Sequence, residues 1–474
     1  MVTSDPVTLS AAGIESCFQR PDGGLILRAI TRTRLQGLAG AIGCILMLAF
    51  ADPACGQSQG DGAIHLGVAS CAGDNCHGAM ERSEGSSVAQ NEFRIWSKSD
   101  KHHRAYAVLL EERAVRIARN LGLPNAATAD VCLGCHTDYV PPGRRGPLFQ
   151  ISDGVGCEAC HGGASTWLGV HISGARHSEN LAAGLYPTEQ PAARAAKCLS
   201  CHFGDPADDN RFVTHRIMGA GHPRMVFELD TYTAVQPAHF VVDQSYIERK
   251  GPVDHVRVWA VGQAVDLTKR MDALIEPKRA PKGLFPELVL FDCQSCHHPY
   301  GSQPGEGYGA TGSAPGSLKL YDANAVMLQA IAAHLAPATG KALISHISAL
   351  QSAVGESWSA VQGEAREMRR LATGLLPILR SHDFSRDDAR ALTKNVISLG
   401  LAGDGTRYSV AEQATMALAS IAAALKSSGQ LSDGQSSAMT RAMNGLYGSF
   451  AADETYRYVP FVQALKEFQR TVPR

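Results

Sequence analysis

The chain has almost no net charge. Among its 474 residues, 44 Lys and Arg balance 45 Asp and Glu, leaving −1. That balance offers no field for nucleic-acid phosphates and no polybasic patch for a membrane surface. Glycine and proline are not in excess either. With 47 Gly and 23 Pro, collagen-like and wholly disordered readings are excluded. At 45% apolar and 19% charged, the chain reads as a soluble globular protein of two or three domains.

A membrane-spanning run is also lacking. The apolar stretch from Leu35 to Ala51 has 17 residues, broken by Gly37, Gly40 and Gly43. It is short for a span and suits a secretory signal core. Arg28, Arg32 and Arg34 precede it, and Ala54 and Gly56 flank Cys55. We therefore expect a leader over 1–56, cleaved near Gly56, and a periplasmic mature protein without an integral span. No adjacent Arg pair precedes the run, so export should use the unfolded chain.

Cleavage removes Cys17, Cys44 and Cys55 and leaves five cysteine pairs. They are Cys71/Cys76, Cys132/Cys135, Cys157/Cys160, Cys198/Cys201 and Cys293/Cys296. His77, His136, His161, His202 and His297 directly follow the second cysteine of each pair. Four pairs are C-x-x-C-H and the first is C-x4-C-H. This is the attachment pattern of c-type haem. Two thiols at that spacing reach two vinyl groups on one porphyrin edge, and the next imidazole lies over the iron.

Other readings fit less well. Zinc knuckles need two pairs per ion, so five pairs leave one over, and zinc does not require a His after every pair. Five C-x-x-C disulfides would be strained and odd. Chance supplies roughly 0.01 such matches at this Cys and His frequency, against four found. Five c-type haems with iron are expected, with no cysteine left for a disulfide. About 45 residues per haem is too few for separate apolar pockets, so the haems must lie close enough for electron hopping.

Second axial ligands should come from the other histidines. Ten of them lie between His65 and His298. The preferred choices are His103, His171, His215 and His222, followed by His177 and His65. Met80, Met218 and Met225 are thioether alternatives. His298 directly follows a motif His, so it cannot serve the same iron.

These residues together resemble the cytochrome c554 family of multihaem cytochromes, related in haem packing to hydroxylamine oxidoreductase. The resemblance rests on Trp96 with His103-Arg-Ala-Tyr, Val131-Cys132-Leu-Gly-Cys135-His136, and Cys198-Leu-Ser-Cys201-His202. Its most specific piece is Gly154-Val-Gly-Cys157-Glu-Ala-Cys160-His161-Gly162-Gly163, with His171 downstream. It covers about residues 68–205. The family cytochrome has four haems, whereas five motifs stand here. The resemblance implies mainly bis-histidine haems, with room for one five-coordinate haem, and electron shuttling in periplasmic nitrogen metabolism.

The expected fold is mainly α, with a pentahaem segment over 57–298, a Gly/Pro-rich linker over 299–317 and a helical bundle over 318–474. A helix is expected through Ala105–Ala118 and another within Phe227–Glu276. Apolar spacing from Leu343 to Val361 predicts one long helical face. Ser409-Val-Ala-Glu412 and Ser432-Asp-Gly-Gln435 read as capping boxes, with Gly429 a C-cap. The leading function is an exported electron carrier. The alternative is a multihaem oxidoreductase acting on a small nitrogen or sulfur compound at one open iron. Haem propionates would make the holoprotein acidic, which favours a redox partner with a basic docking surface. The reduced protein should show c-type absorption bands, and a pyridine haemochrome assay should count five haems per chain. Absence of haem would refute this reading.

Overall fold

The computed structural model describes residues 62–81, 88–282, 286–297, 318–429, 431–449 and 456–472. The expected leader, the 299–317 linker and His298 lie outside them. The described residues form α-helices and short 3-10 turns. They contain no strand, only three isolated bridges, at His65–Arg145, Gly204–Phe212 and Phe291–Leu320. The protein is mainly α, as expected. Among the described residues no helix is long and apolar enough to cross a membrane.

Through the first four motifs the helices are short. They are α1 (Glu92–Ser99), α2 (Glu112–Leu121), α3 (Asp130–His136), α4 (Cys157–His161), α5 (Leu168–Ile172), α6 (His177–Ala182), α7 (Pro191–His202), α8 (His215–Gly219), α9 (Leu229–Val235) and α10 (Gln244–Lys250). Then comes the long α11 (His255–Ile275). Seven more follow the fifth motif: α12 (Ala323–Leu335), α13 (Pro337–Ala353), α14 (Trp358–Ser381), α15 (Arg386–Leu401), α16 (Tyr408–Ser427), α17 (Asp433–Gly448) and α18 (Tyr458–Thr471).

Several expected helices are divided. The Ala105–Ala118 segment is a 3-10 turn, Ala107–Leu110, followed by α2, because Glu111 adopts an extended conformation between them. Phe227–Glu276 splits into α9, α10 and α11. Pro237 and the Gly251-Pro252 pair lie at the breaks, where proline disfavours continued helix. The face from Leu343 to Val361 is shared by α13 and α14, and Ser357 caps the second. Ser409 and Glu412 do not cap α16. Both lie inside it and are bonded elsewhere. Ser432 and Gln435 do form a capping box, and Gly429, at φ +67, follows the end of α16.

α11 is buried on nearly every side, as an all-round apolar helix must be. It packs against α7, α9, α12, α14 and α16. Gly262 makes its crossing with α9 possible, since a Cβ there would sit 2.7 Å from Leu229 Cβ. The main hydrophobic core runs from Ala195 to Phe468 and takes in both α11 and the helices after the fifth motif. The stretch before it brings little apolar side chain inward. Its own cluster is Leu109, Ala118, Ala126, Ala127 and Leu133.

Polar groups also enter the main core. Gln263 donates to Gln413, which donates to the Phe227 carbonyl, and Asn324 donates to Gln263. Glu228 caps α9 by accepting from the amides of Asp230 and Thr231 at 2.9 and 2.7 Å. Burial and the nearby Asp230 charge raise its pKa from the ordinary 4.5 to about 7, against the pull of those amides. A carboxyl with a raised folded-state pKa stabilises the fold at low pH and loses that contribution as pH rises through the raised value. Stability should therefore fall by up to about 3 kcal/mol between pH 4.5 and 7 from this group alone. Glu228→Gln should flatten that part of a denaturant-midpoint profile; an unchanged slope would refute the assignment.

Candidate functional site

Three of the five motifs close a helix. α3, α4 and α7 each end on the motif histidine, at His136, His161 and His202. The reason lies in helical spacing. Cysteines three apart share one face, and the following residue returns beside the first. The fifth motif is a 3-10 turn, Cys293–Ser295, with the His297 amide bonded to the Cys293 carbonyl at 2.8 Å. The wider first motif is a non-helical loop closed by His77 N to Cys71 O at 3.1 Å. None of the ten motif cysteines is in a disulfide. Cys71 lies beside Cys157, and Cys135 beside Cys201. These contacts bring the first motif to the third and the second to the fourth.

Each motif histidine faces a second imidazole. The ring centres are 5.9 Å apart for His77 and His171, and 6.4 Å for His136 and His222. They are 6.5 Å apart for His161 and His239, 6.1 Å for His202 and His102, and 6.2 Å for His297 and His215. Two imidazoles bound to opposite sides of one metal, each nitrogen about 2.0 Å from it, have ring centres about 6 Å apart. All five separations match that span. Rings in van der Waals contact would lie closer.

The elements that present the second rings are varied. His171 lies in α5 and His215 opens α8. His222 follows Gly221, whose φ of +117 turns the chain out of α8. His102 and His239 sit in turns after α1 and α9. His103 and His177 meet none of the motif histidines. The His103 ring packs edge-on against Trp96 at 4.7 Å, and His177 lies 3.2 Å from Glu189. Met80 is exposed.

The pairing of His102 was partly legible, because Asp100 stands two residues before it. The Asp100 carboxylate accepts from both the His102 amide and its Nδ1, each at 2.9 Å, and so aims the ring. His239 carries no comparable signal. Its approach depends on how α9 and α10 pack.

Other rings are oriented in the same way. Nδ1 of His77 bonds Glu92 at 2.9 Å. Nδ1 of His136 bonds the Ala105 carbonyl at 2.8 Å, and Nδ1 of His222 bonds the Pro223 carbonyl at 2.8 Å. A ring whose Nδ1 donates to oxygen keeps the Nε2 lone pair for a metal. Burial pushes the His161 pKa down to about 3 and that of His202 to about 4, and lowers those of His171, His222 and His239. These imidazoles are neutral at pH 7 and can act as ligands. The hydrogen bond to Glu92 raises the pKa of His77, and that to Asp100 raises His102.

A small cavity of about 50 Å³ adjoins the fifth motif, lined by Cys293, Phe203, Met218, Met225, Arg224 and Tyr408, among others. Arg224 forms a two-pronged pair with Glu412 of α16, at 3.0 and 2.7 Å. Gln294, inside the motif, accepts from the Tyr408 amide at 2.9 Å, and Asp292 accepts from the Ser409 hydroxyl. The helices after the fifth motif thus help to build its surroundings.

The residues present fit haem. Ten thiols stand at attachment spacing, five imidazole pairs stand at the span of one metal, and the first half of the chain has little side-chain core of its own. A helical chain with cysteine pairs each followed by a histidine has the make-up of a c-type cytochrome. Residues 70–162, which take in the first three motifs, match the family model described as "Cytochrome c554 and c-prime". No curated protein and no solved structure matches the chain.

Proposed function

We propose that the protein is an exported pentahaem cytochrome that passes electrons along five haems, each iron held between two histidines. The observation that carries this reading is the set of five imidazole pairs, each joining one motif histidine to a different second histidine. Bound haem supplies one-electron cycling of iron. The chain's own residues do the rest. Cys71, Cys76, Cys132, Cys135, Cys157, Cys160, Cys198, Cys201, Cys293 and Cys296 anchor the porphyrins. His77, His136, His161, His202 and His297 take one face, and His171, His222, His239, His102 and His215 the other. His102 and His239 stand where the sequence alone favoured His103 and His177.

A second imidazole on every site leaves no iron open to a small substrate. This favours electron carriage over the oxidoreductase alternative. Residues 57–298 form the haem-bearing segment, and the helices of 318–474 enclose the fifth site. Two propionates per haem would make the neutral chain acidic, suiting a basic redox partner in the periplasm.

Carbon monoxide discriminates. The reduced holoprotein should show no Soret shift under carbon monoxide. His102→Ala should open one iron in five and produce a carbon monoxide complex of about one equivalent, whereas His103→Ala should leave the spectrum unchanged. A carbon monoxide complex in the unaltered protein would instead favour the oxidoreductase.

A further inference from the structure

A buried carboxylate inside the third motif is not explained by haem attachment. Glu158 occupies the first spacer position between Cys157 and Cys160 and is 3% exposed. Its Oε1 accepts from the amides of Leu66 and Ala164, and its Oε2 from the amide of Gly67, all at 2.7 Å. Three short charge-assisted bonds to backbone satisfy a buried carboxylate without a counter-ion.

Those bonds join distant stretches. Leu66 and Gly67 lie in the extended segment 63–67, directly before the 3-10 turn Val68–Ser70 that leads to Cys71. The same segment is bonded on both sides. The Ile64 amide donates to Ser165 Oγ at 2.8 Å, and the Ser165 amide donates to the Ile64 carbonyl at 3.2 Å. The His65 amide meets the Arg144 carbonyl, and the His65 ring meets Asp138 at 2.7 Å, two residues beyond His136. Gly67, at φ +96, lies so close to Leu148 that a Cβ would fall 2.2 Å from its carbonyl oxygen. The segment therefore acts as a crosspiece between the loops of the second and third motifs, and the first motif hangs from its end.

His65, Asp138 and Glu158 also bring three potential donor atoms within 4.8 Å of one another. A metal site is not the better reading. The Glu158 oxygens are already filled by three N–H donors, and His65 Nδ1 is engaged by Asp138.

We propose that Glu158 is a positioning residue that locks the first attachment loop to the third, and so sets the spacing of the two haems those loops carry. Cys71 and Cys157 also lie side by side, so the two loops meet both at the lock and at their first cysteines. The proposal rests on the multihaem reading above.

Two variants of the full-length holoprotein test it. Glu158→Gln keeps the shape but turns a donor toward backbone donors. Glu158→Asp keeps the charge but shortens the reach, so it separates position from electrostatics. Hydrogen exchange at the amides of Leu66, Gly67 and Ala164 should speed up together in both variants, by about tenfold or more. The magnetic interaction between the first and third haems, read by electron paramagnetic resonance of the oxidised protein, should weaken in both. Unchanged exchange in Glu158→Gln, or faster exchange with an unaltered haem–haem interaction in both variants, would overturn the proposal. A normal interaction in Glu158→Asp alone would make the effect one of charge and would also overturn it. A haem count below five in the unaltered protein would count against the pentahaem reading alone, because the amide exchange still decides whether Glu158 is the lock.

Discussion

The rest of the structure depends on one arrangement, two imidazoles held opposite each other across about 6 Å. The span is too wide for ring contact and too narrow for a layer of side chains. Five such pairs must be held by a stretch of chain with few residues to spare. Short helices and turns meet that demand better than long ones. A three-residue spacing sets the cysteines, a helix end sets the motif histidine, and a separate turn brings the second ring. The helices before α11 are accordingly brief, and ahead of Ala195 the buried apolar cluster holds only Leu109, Ala118, Ala126, Ala127 and Leu133.

Orientation of the rings is a matter of hydrogen bonding as much as packing. Glu92, Asp100 and the carbonyls of Ala105 and Pro223 each take one Nδ1. The carboxylates and carbonyls do different things electrically. Beside Glu92 and Asp100 the rings hold a proton more readily. Deep in the protein, as at His161 and His202, burial keeps the ring neutral. The environment of a proposed ligand thus varies from site to site although the ligand type does not. Second-sphere contacts of this kind tune a bound iron.

The two halves of the protein are stabilised differently. α11 and the helices after the fifth motif build an ordinary close-packed core, in which Trp259, Leu267, Met271, Phe461 and Phe468 are wholly enclosed. Polar residues thread that core in pairs, such as Gln263 with Gln413 and Arg407 with Asp322. Asp292, Gln294 and Arg224 then carry this framework to the fifth motif. In the earlier half the polypeptide is organised by polar clamps, among them Glu158 with its three amide donors and Asp100 with three donors of its own.

The sequence by itself determined the motif pattern: two thiols and an imidazole at fixed spacing are readable from residue order alone. It also determined the mainly helical class and the capping box at Ser432, because both follow from local patterns. Helix boundaries near Glu111, Pro237 and Val354 were less legible, since apolar spacing continues across a break. Only the tertiary structure decided the partner of each motif histidine. His102 and His103 are adjacent in sequence, yet one faces His202 and the other packs on Trp96. His239 reaches His161 from a turn nearly eighty positions away. Facing rings are set by how turns pack against one another over long separations, and one residue of register points a side chain elsewhere.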